Sequence, residues 1–365
     1  MSENHTTMTE AIPDRRLLNQ CIDRPRHRKA ADVVEWLGAV QAQEYEPAKW
    51  ALGLRMANAA HGDIERAFER GRILRTHVMR PTWHFVTPAD IRWMLELTAP
   101  FVHRRMAVYD RQLGLDAATK RRSAAVMEKA LGEGAFLTRV ELGERLTQAG
   151  LAMNGMRLAH LALYAELEGI ICSGPRRGKK FTYALIAARA PNARRLSRDE
   201  AVAELSLRYF RSHGPATVRD FVWWSGLVTA DAKRGIEMIR AKRQDIDGQA
   251  YWTAGPAART TAGVKLAHLL PIYDEYVVSY RDRIAVPHGP SMIPSGTGGG
   301  YVTFQHALVI GGQIAGTWRT SRSAKGVAIA ATPLRRLSPR ERRAAADAAN
   351  RYARFLGAAV ELVVK

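Results

Sequence analysis

Cysteine is nearly absent from this 365-residue chain: only Cys21 and Cys172 occur. They lie far apart, with no CxxC and no Cys/His grouping at metal-ligand spacing, which excludes a disulfide framework and gives no zinc site. Both read as reduced, buried thiols. No apolar run approaches the roughly 18 residues needed to cross a bilayer, and residues 1–12 lack the apolar segment of a secretion signal, so the chain reads as cytoplasmic and without a membrane segment. The eleven His include no HExxH, and Gly296 to Gly300 and Gly311-Gly312 lack the Lys and helix start of a phosphate-binding loop, so neither metal nor cofactor is indicated. Acidic residues are the other shortage. Asp plus Glu number 35 against 55 Lys plus Arg, giving a formal charge of +20 and a pI near 10.4. That balance favours a polyanionic partner, nucleic acid first. The 47% hydrophobic content is enough for well-buried cores in two or three domains.

What is present begins with Val40-Gln41-Ala42-Gln43-Glu44-Tyr45, which comes after an amphipathic helix built on Val33, Leu37 and Val40. In extended backbone Gln41 and Gln43 point to one side and Ala42 and Glu44 to the other. Two converging amides hold a water molecule without adding negative charge, which suits a reaction whose leaving group is already cationic. Pro47 fits the first turn of a helix over residues 48–56 and biases Glu46 toward extended backbone, leaving the connector non-helical.

Ser123 to Leu131, Thr138 to Gln148 and Asn154 to Glu168 read as three helices, the second capped by Thr138 and ended by Gly150, the third with Met156, Ala159, Leu163 and Leu167 on one face. Ile170 to Cys172, the basic tip Arg176-Arg177-Gly178-Lys179-Lys180 and Phe181 to Leu185 then form a hairpin. Three helices followed by a hairpin is the winged-helix arrangement, and Arg176, Arg177, Lys179 and Lys180 are candidate phosphate contacts. The pattern recurs over residues 198–252. An earlier copy, in which residues 73–86 form two strands with a bend near Pro81 and a helix runs from Pro88 to His103, precedes both. From Leu266 the texture turns to strands, closed by an amphipathic helix over residues 339–356. The expected fold is therefore α+β: a disordered stretch 1–12, winged-helix units at 13–116, 117–190 and 191–262, and a β-rich C-terminal domain at 263–365 with one packed helix.

Trp83 and His84 are candidates to sit near bound nucleic acid. Arg75 and Arg80 fit either phosphate contacts or surface ion pairs. Asp274, Glu275, Tyr276, Arg281 and Asp282 form a charge-dense segment, read as an internal ion-pair network or as part of the site, and Trp223-Trp224 reads as helix core. No coiled coil or exposed apolar helix argues for a dimer, so a monomer without an obligate protein partner is expected. A non-catalytic DNA-binding protein, such as a transcription regulator, is the competing reading; it needs base-reading side chains on a third helix, where only Asn154 and Arg157 qualify.

Val40 to Gln43, Ala48 to Arg55, Leu74-Arg75-Thr76, Thr82 to Val86, Asp274-Glu275-Tyr276, Tyr280 to Arg283 and Gly316 to Arg319 occur in an order that resembles the winged-helix DNA glycosylases of the AlkZ/YcaQ type, over nearly the whole chain. The resemblance implies three tandem winged helices and a β domain around duplex DNA, and excision of alkylated purines, 7-alkylguanine above all, with interstrand crosslinks in some members. It also implies that Gln41 and Gln43 are the catalytic pair, in the all-amide form of a Gln-apolar-Gln/Asp motif. Pro81 stands where the family pattern carries Gly, and Trp83 where it more usually carries Leu.

Overall fold

The computed structural model describes residues 11–255, 266–281, 305–323 and 326–364. Asp282, residues 1–10 and residues 301–304 of an expected strand lie outside that set, whereas Ala11 and Ile12, expected to be disordered, open a helix because Ile12 packs on Ile246 and Tyr251. The described chain is α+β, and one element order recurs three times. After α1 (Ala11–Asn19), the first pass runs α2 (Ala30–Leu37), β1 (Val40–Gln41), α3 (Tyr45–Gly53), α4 (His61–Glu69), β2 (Leu74–Val78) and β3 (Arg80–Val86). β3 pairs antiparallel with both β1 and β2, so the first strand lies beside the last. The long α5 (Ile91–Gln112) leads into the second pass: α6 (Ala117–Ala130), β4 (Leu137–Thr138), α7 (Arg139–Gln148), α8 (Gly155–Leu167), β5 (Ile171–Ser173) and β6 (Thr182–Leu185), with the sheet again in first-last-middle order. The short α9 (Ile186–Arg189) precedes the third pass: α10 (Arg198–Ser212), α11 (Val218–Ser225), α12 (Thr229–Met238), β7 (Lys242–Ile246) and β8 (Gln249–Thr253). There the first strand shrinks to a single bridge from Ala216 to Trp252 on β8.

The remainder comprises β9 (Ala267–Leu270), α13 (Glu275–Val278), β10 (His306–Ile310), β11 (Gln313–Ser323), β12 (Gly326–Pro333), α14 (Pro339–Leu356) and β13 (Val360–Val364). Its five strands form one sheet in the order β13-β12-β11-β10-β9, antiparallel except for the β12/β13 pair. Both ends of α14 match their sequence signals. Ser338 caps it, Pro339 opens it and Gly357, with φ +64°, ends it.

Several boundaries differ from expectation, each for a local reason. α6 starts at Ala117 because the Asp116 carboxylate accepts a 2.7 Å hydrogen bond from Thr119 N–H. α5 passes through Pro100 and ends only at Gln112, two residues before Gly114 at φ +62°. The β2/β3 reversal falls at Met79, with φ +63°, not at Pro81. Pro81 lies inside β3 beside a register shift, where the ladder is already interrupted and its missing N–H is tolerated. On α8, Asn154 caps the helix, Met156 in its first turn faces solvent, and Leu158, Leu161, Ala162 and Ala165 form the buried face.

The apolar cores do not follow the three passes. The second pass has a core of its own, around Leu142, Leu146, Leu161 and Ile171. The first is shared out: its helices pack with the C-terminal sheet and α14 through Trp50, Leu269, Trp318 and Phe355. Its hairpin packs with α5 and the third pass through Leu74, Val78, Trp93, Phe210 and Trp224. The exit of β1 therefore lies where three distant parts of the chain meet. Gly226 permits one of those contacts. It holds φ +75° at the end of α11, and a Cβ there would come within 2.3 Å of the Met79 carbonyl, so the β2/β3 turn seats directly on the helix end.

Candidate active site

β1 ends at Gln41, and side chains hold the segment from Ala42 to Glu44. Ala42 N–H still donates to the Trp83 carbonyl (2.7 Å), but the Ala42 carbonyl turns away to accept from Arg75 Nε (2.9 Å). Trp83 N–H donates instead to Gln43 Oε1 at 3.3 Å, so the Gln43 amide continues the ladder that the main chain has left. α3 then starts at Tyr45, earlier than expected. Glu46 is already helical, and Pro47 occupies the third position, where no intrahelical donor is required.

Gln41 pairs in register with His84, which puts both side chains on one face of the sheet. Arg80 joins them. Its Nη2 donates to Gln41 Oε1 (3.1 Å) and lies 3.1 Å from His84 Nε2, while Nη1 donates to the Trp224 carbonyl (2.8 Å). A guanidinium only donates, so the Gln41 oxygen must face it and His84 Nε2 must be unprotonated, with Nδ1–H donating to the Thr82 carbonyl (2.9 Å). Burial, reinforced by the Arg80 charge, pushes His84 down to about 3. His84 is a neutral acceptor at this site and no proton donor. Each glutamine oxygen keeps a second acceptor position, and neither amide nitrogen makes a hydrogen bond among the described residues.

Behind Gln41 sits Glu275, fully buried on α13. Its Oε1 accepts from Gln41 N–H (2.7 Å), and its Oε2 accepts from Trp224 Nε1–H (2.9 Å) and the Ser279 hydroxyl, with His213 Nε2 at 3.6 Å. Burial opposes ionisation, but the contact with His213, the Arg80 charge and the Ser279 hydrogen bond outweigh it and hold the carboxyl down to about 2. Burial lowers His213 in turn, so the carboxylate is ionised beside a neutral imidazole. Trp224, His213 and Ser279 are site neighbours that sequence reasoning missed. Trp224 in particular is buried as expected of helix core, yet spends its indole N–H on Glu275, whereas Trp223 is 42% exposed.

Asp274 and Tyr276 of the charge-dense segment bond within the fold. Asp274 makes a bidentate pair with the buried Arg55 (2.9 and 2.8 Å) and accepts from Tyr276 N–H, and the Tyr276 hydroxyl donates to the Gly312 carbonyl. Arg281 is exposed, and its main-chain N–H donates to Asp220.

On the opposite face of the sheet Arg75 stacks between Trp83 (4.3 Å) and Phe181 (4.8 Å) while bonding the Ala42 and Gln43 carbonyls. A cavity of about 340 Å³ opens there between the first two passes, with Trp83 and Glu166 in its wall and Lys179 and Lys180 at its rim. The structure places the expected phosphate contacts in different surroundings. Arg75 and Arg80 brace the glutamine segment from inside, because its turned carbonyl and amide oxygens require donors. Arg176 folds onto Tyr45 and Phe181 and pairs with Glu65 (3.1 Å), and Arg177 pairs with Glu141 (2.6 Å). Of the basic tip only Lys179 and Lys180 have side chains without a partner among the described residues.

The neutral, buried His84 gives a pH test. Its folded pKa lies below its unfolded value, so its contribution is intact above about pH 6.5 and is lost as pH falls toward 3, at up to about 1.4 kcal/mol per pH unit. Urea unfolding between pH 6.5 and 5.5, above the range where carboxylates with lowered values such as Glu275 lose their contribution, should show stability falling, with a shallower slope in His84→Asn. An equal slope in the variant would mean that His84 protonates freely in the folded state.

A family model for AlkZ-like DNA glycosylases matches residues 34–355, which include both glutamines and Glu275. The chain belongs to the AlkZ-like DNA glycosylase family. A curated relative from Streptomyces sahachiroi, an interstrand DNA cross-link repair glycosylase, is 28% identical over 221 residues, 58% of this AlkZ-like chain and 59% of the relative. The match thus spans less than two thirds of that relative's length. The solved structure of Streptomyces sahachiroi DNA glycosylase AlkZ superposes on 98% of this chain and 100% of its own, with a TM-score of 0.78 at 21% identity. The two share a fold.

Proposed function

We propose that this AlkZ-like protein is a monofunctional DNA glycosylase that hydrolyses the glycosidic bond of cationic alkylated purines in duplex DNA, 7-alkylguanine above all, with interstrand crosslinks as further substrates. Gln41 and Gln43 position the water. The observation that carries this reading is the fixed orientation of the two amides, each with its oxygen held by a donor and one acceptor position left for a water proton. A base alkylated at position 7 leaves without a strong general acid. As the C1′–N9 bond breaks, its electrons neutralise the departing base; the water oxygen bonds to C1′ and releases a proton. The enzyme's task is positioning and stabilising a cationic sugar. A neutral His84 agrees with a reaction that needs no acid. Cross-link repair, named for the Streptomyces relative, comes to this chain only as part of the proposal.

The threefold helix–strand–helix–helix–hairpin order supports reading residues 13–116, 117–190 and 191–262 as winged-helix units, with 263–365 as the β domain. A transcription-factor reading loses support, because Asn154 caps its own helix and Arg157 bonds the carbonyls of Ala152 and Leu113. The deciding experiment incubates the protein with duplex DNA carrying 7-methylguanine and looks for free base and abasic sites. Release is expected, and tight binding without release would favour the non-catalytic reading.

Lys179 and Lys180 carry the DNA-contact part of the proposal. Changing both to Ala should weaken undamaged-duplex binding and reduce the slope of log affinity against log salt by up to about 2, since each phosphate contact contributes roughly 0.9. An unchanged slope would remove the hairpin tip from the interface.

A further inference from the structure

We infer that Glu275 is a positioning and charge-compensating residue for the reaction, supplying the negative charge that an all-amide motif lacks; this rests on the proposed glycosylase reading. The geometry has two parts. Gln41 is anchored at both ends, by Glu275 on its main-chain N–H (2.7 Å) and by Arg80 on its side-chain oxygen (3.1 Å). The two anchors carry opposite full charges, and His84, the titratable group paired with Gln41 across the sheet, is neutral.

Arg80 alone would be a poor neighbour for this chemistry. It is the donor that orients the Gln41 amide, but it places a cation beside the position where the sugar becomes positive, and repulsion there is strong where water is excluded. Glu275 removes that penalty. Its carboxylate is locked by Trp224 of α11 and by Ser279 at the end of its own helix, so the compensation is fixed before substrate arrives. A carboxylate placed within the glutamine motif would reach the reacting water directly. One set behind Gln41 touches neither water nor base; it acts through the Gln41 main chain and through its field.

The test separates charge from architecture by using two duplexes that mimic an abasic site. One carries a cationic pyrrolidine in place of the sugar, the other a neutral tetrahydrofuran. The wild-type protein should prefer the cationic duplex, and Glu275→Gln, which keeps the shape and an acceptor, should lose most of that preference, roughly tenfold or more. It should also slow single-turnover release of 7-methylguanine about 10²-fold, with little change in affinity for undamaged duplex. Glu275→Asp should restore the cationic preference. Arg80→Gln, which keeps a donor for Gln41 but removes the competing cation, should increase that preference, and it serves as the decisive variant if Glu275→Gln does not fold. The inference is overturned if folded Glu275→Gln keeps the wild-type cation preference, or if Arg80→Gln leaves it unchanged or lowers it. Absence of 7-methylguanine release by the wild-type protein would instead count against the glycosylase reading, so the two failures are distinct.

Discussion

Gln41→Ala should slow release of 7-methylguanine by about 10²- to 10³-fold, the usual effect of losing one preorganised polar contact at a reacting centre. Undamaged-duplex affinity and stability should change little, because among the described residues the Gln41 side chain bonds Arg80 alone, and Arg80 keeps the Trp224 carbonyl and His84 Nε2 as acceptors. Gln43→Ala should slow release by a similar factor, but with a second consequence. Its side-chain oxygen accepts from Trp83 N–H, so its removal exposes a ladder donor and should cost about 1 kcal/mol of stability as well. The double variant should lose less than the product of the two single effects, since two groups holding one water act as a unit. Gln43→Asp should remain active, in line with the Gln/Asp alternation that the family resemblance implies. Single-turnover release on duplexes of one sequence context, beside urea unfolding of each variant, measures both quantities. Wild-type rates in the double variant would show that the water is held elsewhere.

The contrast between the two glutamines shows what the sequence made legible and what it hid. Alternation along an extended segment predicts one shared side for Gln41 and Gln43, and the structure sets Gln41 beside His84. It gave no sign that the Ala42 carbonyl would turn to Arg75 and leave Gln43 to complete the ladder. Local signals served well where the cause was local: Thr138, Thr217 and Ser338 all cap helices as hydroxyls before such segments do. They say less about the arginines. Arg75, Arg80 and Arg176 look like a phosphate-binding set in a chain of charge +20, yet each is drawn inward by a carbonyl, an amide or a carboxylate from another part of the fold. The separation of Glu275 from its neighbours Asp274 and Tyr276 is of the same kind. Three adjacent residues of one short segment face three different partners, Arg55, Gln41 and Gly312, and only the packing of that segment decides which one reaches the glutamines.

That packing rests on Asp274, and its loss should be the largest single effect on stability. Asp274 and Arg55 are both fully buried, joined by two hydrogen bonds of 2.8 and 2.9 Å, and Arg55 also donates to Gln20 and the Ala51 carbonyl. Removing the carboxylate leaves a guanidinium in the interior without its counter-charge, a change that typically costs about 3–5 kcal/mol even where the intact pair contributes little over apolar residues. Asp274→Ala should therefore lower the unfolding free energy by about that amount. It should also slow base release, because the same carboxylate caps the turn that carries Glu275 and is tied through Arg55 to Gln20 after α1. The combined Arg55→Met/Asp274→Leu variant should recover much of the stability, since neither charge is then stranded, while base release stays impaired for want of the cap. Urea unfolding of the three proteins checks the first claim, and a loss below about 1 kcal/mol in Asp274→Ala would show that water reaches Arg55. Full activity in the combined variant would show that Glu275 is held in place without its neighbour.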